Sequence, residues 1–280
     1  MSVVDFFKFP HLNPRGLTRS NHAQVTALVE TIGCPEVVGF TETWLQGRER
    51  AALPGYHLVS QLNRRNAVRE DRGGIALFAR DGFENSVVHL ADSAIDERAW
   101  YIVHADSGPI LLCLWYRPPA AETESVTRFE AELCEHSRHA INCAVMGDMN
   151  VHNIEWLRHS NRNSDEGLEL ETVCCSYGLR QLVSEPTRGP YLLDLVLSDL
   201  ASGIRCRVVP GIHENDHDGV LTTVNLRIPA ATPVDRKVFD FKKADWRNCS
   251  GFSWTLTGAK RSSLRRTALQ RQWSKRYLRL

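Results

Sequence analysis

Several apolar runs in this chain end in residues that bind cations or move protons. HLN ends at Asn13, VVGFTE at Glu42, and LLCLWYR at Tyr116 and Arg117. AVMGDMN ends at Asp148 and Asn150, LLDLVLS carries Asp194, and NDHDGV carries Asn215, Asp216 and His217 just before another apolar run. A polar group at the edge of a core must be paired or must bind something. Gathered on one rim, these groups would form a pocket of carboxylates, amides, a tyrosine and an imidazole. Such a set suits a hard divalent cation bound through oxygen, activation of water, and attack on a phosphodiester. Each residue alone also has a plainer reading. Asp148 after a glycine fits a turn, and Glu42 fits a solvated strand end. Asp194, inside an apolar run, needs a partner, and an imidazole is a suitable one.

The elements that must position these groups are legible from hydrophobic spacing. Ser20 to Gly33 reads as a helix with Val25, Leu28, Val29 and Ile32 on one face, Ser20 or Asn21 as cap, and Gly33 as stop. EVVGFTETWL, Tyr56 to Gln61, GIALFAR, SVVHL, AWYIVHA, PILLCLWY, Asn142 to Met146, LLDLVLS and VLTTVNL read as strands. Glu122 to Ala140 and Asp165 to Tyr177 read as helices. Many consecutive strands with few helices favour an α+β layered domain, two sheets sandwiched between helices, over a regular βαβ repeat.

Bulk properties narrow the setting. The 280 residues are 42% hydrophobic and 24% charged, ordinary for a globular chain. No run is long and apolar enough to suggest a membrane span, and the N-terminus lacks the layout of a secretion signal. None of the eight cysteines forms a C-x-x-C pair, which argues for buried thiols over a zinc site. The net charge of +1 conceals a division. Residues 229–280 hold 13 Lys and Arg against 3 Asp, a net of +10, whereas residues 1–228 carry −9. An acidic body, 1–228, and a basic linker or tail, 229–280, are expected to do different jobs.

The stretches HLNPRGLT, GFTETWL, RGGIALFAR, LLCLWYRPP, VMGDMNVHNIEW, GLRQLVSEPTRGPYLLDLVLSD and NDHDGV resemble, in order, the endonuclease/exonuclease/phosphatase family. They are most similar to the apurinic-like endonuclease domain of non-LTR retrotransposons, and RKVFDFKKADW resembles the linker that leads on to a reverse transcriptase. The resemblance implies a four-layer α/β/β/α sandwich of the DNase I type, acting as a metal-dependent endonuclease on DNA. It implies Glu42, Asn13 and Asp216 on the Mg²⁺ (or Mn²⁺) side. It implies Asp148 as activator of the attacking water, with Asn150 orienting. His217 would contact the scissile phosphate, held by Asp194, and Tyr116 would hydrogen-bond that phosphate. Thr187, Asn215 and Arg117, with the loop arginines Arg64, Arg65, Arg69 and Arg72, would contact the substrate. A nuclear monomer with no membrane association is the expected setting. Asn215 stands where the family usually has Ser, and Arg15 stands where some apurinic enzymes carry an extra acid, which bears on a second metal. Two alternatives stay open: a phosphatase or phosphodiesterase of the same family, and an inactive element remnant that binds nucleic acid.

Overall fold

The computed structural model describes residues 3–4, 6–17, 21–64, 72–212 and 215–229. The chain divides into two units, Met1–Pro233 and Val234–Leu280, and everything described belongs to the first. In chain order the strands are β1 (Val3–Val4), β2 (Phe7–Leu12), β3 (Val37–Thr41), β4 (Tyr56–Leu62), β5 (Ile75–Arg80), β6 (Val87–Asp92), β7 (Glu97–Ala105), β8 (Gly108–Tyr116), β9 (Asn142–Asp148), β10 (Arg180–Gln181), β11 (Asp194–Ser198), β12 (Ile204–Val209), β13 (Gly219–Val224) and β14 (Ile228–Pro229). The helices are α1 (His22–Thr31), α2 (Glu124–Ser137) and α3 (Asp165–Tyr177).

Two mixed six-stranded sheets face each other, ordered β10-β11-β9-β8-β7-β6 and β12-β13-β2-β3-β5-β4, and β1 pairs with β14 beside them. The central strands β3, β8 and β9 are almost wholly buried, which is why they read as unbroken apolar runs. Where the sheets meet, a Cβ on Gly39 would press into Met146 and Leu114, so a small residue there lets the layers close. Helix α1 lays Val25 and Val29 on Leu12, Val38, Phe40 and Phe78, the outer face of one sheet. On the outside of the other sheet, α2 presents Val126, Phe129 and Leu133 and α3 presents Leu170, Val173 and Cys174 to the main core. Phe129 stacks on Trp115 and Trp100 at centroid distances of 4.8 and 5.9 Å. The expected four-layer α/β/β/α sandwich is the observed one.

Local signals explain the element ends. Ser164 caps α3 by accepting from the Gly167 amide, and Gly178 ends it at a left-handed φ of 67°. Asn21 precedes α1, and its side chain donates to the carbonyls of Pro14 and Gly16, tying the helix start to the loop after β2. The strands β1, β10, β12 and β14 go beyond the sequence expectation. β12 alternates exposed and half-buried residues along a sheet edge, so it has no continuous apolar run. The basic stretch 230–280, with the linker-like segment RKVFDFKKADW, lies outside the described residues.

Candidate active site

Register places the key acids in one row. Tyr116 pairs with Asp148 across β8 and β9, and Asp148 pairs with Asp194 across β9 and β11. Paired residues on neighbouring strands share a face, so three polar side chains stand side by side at one sheet end. Glu97 extends the row by pairing with Tyr116. The facing sheet contributes from the same end: Asn13 just past β2, Glu42 just past β3, and His217 just before β13. The glycine of GDMN is a geometric requirement. Gly147 has φ 154°, and a Cβ there would overlap the Trp115 carbonyl.

Asp148 is fully buried and fully engaged. The Asn13 amide donates to its Oδ2 at 3.1 Å and the Asn150 amide to its Oδ1 at 2.8 Å. Asn13 also donates to Glu42 Oε1 at 3.3 Å, and Asn150 to the Arg117 carbonyl at 2.9 Å. Burial, and then the charges of Asp194 and Glu42, push the Asp148 carboxyl well above the usual carboxylate range, against the pull of His217. The His217 Nε2 stands 3.8 Å from Asp148 Oδ2, too far for a hydrogen bond. Its Nδ1 meets Asp194 Oδ2 at 3.0 Å. Burial pulls the His217 imidazole down, but the bond and charge of Asp194, with the charge of Asp148, outweigh it and raise it to about 9. The charged ring is thereby oriented, with Nδ1–H toward Asp194 and Nε2–H toward the site.

Glu42, Asp148 and His217 each offer a ligand atom, all within 4.8 Å of one another. The Trp44 indole donates to Glu42 Oε2 at 2.9 Å, which fixes that carboxylate and leaves its other oxygen toward Asn13. Among the described residues, five non-glycine residues have positive φ, and four border this site: Arg15 (48°), Glu42 (50°), Trp44 (54°) and Asn150 (48°). Such backbone costs on the order of 1–3 kcal/mol per residue and persists where the surroundings enforce it.

Other expected residues support the site from behind. Thr187 Oγ1 accepts the amides of Leu193 and Asp194 at 3.2 and 3.0 Å, so it holds the Asp194 strand start. Asn215 donates to the Asn13 carbonyl and accepts from the His217 amide at 3.4 Å, so it likewise positions neighbours. Arg117 is buried, donating to Ser125 and Ala121 at 2.9 and 2.8 Å, and pairing with Glu166 at 2.9 Å. A guanidinium taken from water needs such a partner set. The Arg64 Nε pairs with Glu97 Oε1 at 2.6 Å and its guanidinium lies over the Tyr116 ring, which turns it toward the row of acids. Burial, with the charges of Glu42 and Asp148, raises the Tyr116 hydroxyl strongly, so it remains a neutral donor. Both oxygens of Asp216 pair with guanidinium groups, Arg15 at 3.0 Å and Arg188 at 2.6 Å. Burial raises the Asp216 carboxyl, but Arg188, His217 and Arg15 together hold it below its ordinary value. Arg72 lies over the Trp44 ring at 5.0 Å, while Arg65 and Arg69 lie outside the described residues.

Four residues went unmarked in the sequence. His11 is buried, with Nε2 bonded to Thr41 Oγ1 at 2.9 Å and Nδ1 3.4 Å from Asp194 Oδ1. Burial drives it down to about 4, so it is neutral, and Asp194 sits between one neutral and one charged imidazole. Trp44, Arg188 and Glu97 complete the set. The signal for His11 lay two residues before Asn13 on the same run; Glu97 and Arg188 gave none, because their partners are remote in sequence.

Comparison with known proteins bears on the family resemblance. Residues 110–221 match the family described as endonuclease-reverse transcriptase. This match agrees with the resemblance to the endonuclease/exonuclease/phosphatase family expected from the sequence. Among solved structures, the endonuclease domain of TRAS1, a telomere-specific non-LTR retrotransposon, is similar at TM-score 0.60 and 15% identity, over 78% of this chain and 98% of that one. The AP endonuclease LMAP from Leishmania major is similar at TM-score 0.59 and 17% identity, over 80% and 89%. The Xenopus laevis APE2 catalytic domain is similar at 0.60 and 12% identity, over 81% and 94%. At these identities the likeness is one of fold. No curated protein matches the chain. No helix among the described residues is long and apolar enough to cross a membrane.

Proposed function

We propose that this chain is a divalent-metal-dependent endonuclease that nicks DNA, of the kind whose nick primes reverse transcription, and that it acts in the nucleus. The observation that carries the reading is the triad of Glu42, Asp148 and His217, with ligand atoms within 4.8 Å and Asp194 bonded behind the histidine.

The donor set fits a hard cation. Glu42 and Asn13 offer carboxylate and amide oxygens, whereas His217, held protonated, serves as a donor and not as a ligand. The crowding of Asp148, Asp194 and Glu42, which pushes Asp148 upward, is the kind of anionic excess that Mg²⁺ or Mn²⁺ relieves. When bound, such an ion supplies a polarised phosphoryl oxygen and a more acidic water.

The chain's own groups do the rest. Asp148, oriented by the Asn13 and Asn150 amides, accepts the proton of the attacking water. His217 presents its Nε2–H to a non-bridging phosphate oxygen, where negative charge develops as the five-coordinate transition state forms. Asp194 fixes that ring and keeps it charged. Tyr116, kept neutral, donates its hydroxyl to another phosphate oxygen. Purified protein should convert supercoiled plasmid to open circle in Mg²⁺, and EDTA should stop it. Plasmid left intact across a full Mg²⁺ and Mn²⁺ titration by folded protein would reject the reading.

A further inference from the structure

Around the acidic centre runs a short arc of cations. Asp216, adjacent in sequence to His217, is gripped from two sides. Arg15 Nη1 meets its Oδ1 at 3.0 Å, and Arg188 meets its Oδ2 through Nε at 2.8 Å and Nη2 at 2.6 Å. All three side chains are 37–38% exposed, so the grip lies on the open rim. On the other flank, Arg15 also lies over the Trp44 ring at 5.8 Å, and Arg72 lies over that ring at 5.0 Å. Arg188 is near enough to the centre for its charge to act on both Asp148 and His217.

Two features give this arc a purpose. First, residues 1–228 carry a net −9, so the body as a whole repels a polyanion and attraction has to be local. Second, a surface carboxylate between two guanidiniums resembles the ligand those guanidiniums would bind. Arg recognises carboxylate and phosphate with the same forked geometry. An intramolecular carboxylate in that position holds both arginines in a phosphate-ready pose and competes with an incoming phosphate for them.

We infer that Arg15 and Arg188 form a phosphate clamp for the strand on either side of the cleaved bond, with Asp216 as its resident, exchangeable anion. The substrate class is thus a polynucleotide with several consecutive phosphates, as opposed to a small phosphomonoester. In this clamp Asp216 is a positioning residue, holding the two guanidiniums by ion pairs. This deepens the endonuclease reading, and it is tested by binding, separately from turnover.

The experiment is fluorescence anisotropy of the full chain with a short fluorescein-labelled duplex in EDTA, between about 50 and 200 mM salt. Removing one phosphate-binding cation lowers the slope of log K against log salt by about 1. R15Q and R188Q should each lower it by about 1 and the double variant by about 2, while R188K should restore it. D216N, by removing the competitor, should bind duplex more tightly than the wild type. The slope, unlike the amplitude, does not depend on the fraction of protein folded. An unchanged slope in the double variant, or weaker binding by D216N, would overturn the clamp. Plasmid nicking in Mg²⁺ tests the endonuclease reading independently.

Discussion

At the scale of single residues, Asp194 governs the site through its two imidazoles. It keeps His217 charged up to about 9 by a 3.0 Å bond, while buried His11 on its other oxygen stays neutral down to about 4. If the charged imidazole is the phosphate donor, nicking falls as pH rises through about 9. Asp194→Asn removes the charge that raises His217, so this alkaline limb should move toward the ordinary histidine value. The rate at neutral pH should fall by about 10²-fold or more. A pH–rate profile of both proteins checks this, and an unmoved limb would separate His217 from the pH dependence. Asn13, Glu42, Asp148, Asn150 and Asp194 were legible in the sequence because each ends or interrupts an apolar run. Arg64 and Arg117 were not. Arg64, within the polar stretch NRRN, reads as a solvated cation, and the carboxylates that pair with the two arginines, Glu97 and Glu166, are contributed by other elements.

At the scale of elements, the site depends on how closely β8 and β9 run. Gly147→Ala would drive its Cβ into the Trp115 carbonyl, in a backbone region that other residues rarely adopt. The cost should be about 3 kcal/mol or more, visible as a large drop in melting temperature, with Asp148 displaced and nicking lost. A melt within a degree or two of wild type would contradict the tight register. The central strands were legible because burial on both faces makes them continuous apolar runs, and α3 was legible to the residue because Ser164 and Gly178 punctuate it. β12 escaped notice because arginines alternate along its exposed edge. Nothing in local patterning reveals that Glu97, Tyr116, Asp148 and Asp194 line up, since that row exists only once register is set.

At the scale of the whole molecule, the same histidines link stability to pH. His217 has a folded pKa of about 9, above its unfolded value, so its contribution is full below about 6.5 and is lost as pH rises toward 9. His11 has a folded pKa of about 4, below its unfolded value, so its contribution is present above about 6.5 and is lost as pH falls toward 4. Their combined contribution peaks near the ordinary histidine value and declines on both sides by a few kcal/mol. Denaturant midpoints across pH should trace that peak, and His11→Asn should flatten its acid side. The contrast between an acidic body and a basic tail is a property of the sequence itself. The sandwich was legible from the order of its elements, whereas the pairing of its sheets depends on packing between residues far apart in the chain.

The central claim is that Asp148 and His217 carry out phosphodiester hydrolysis together. Its most direct test is the initial rate of supercoiled plasmid nicking in Mg²⁺ by wild-type protein, Asp148→Ala and His217→Ala, each verified as folded. The account predicts Mg²⁺-dependent nicking by the wild type and rates lower by about 10²–10⁴-fold in each variant. Nicking at wild-type rate by either variant would contradict it.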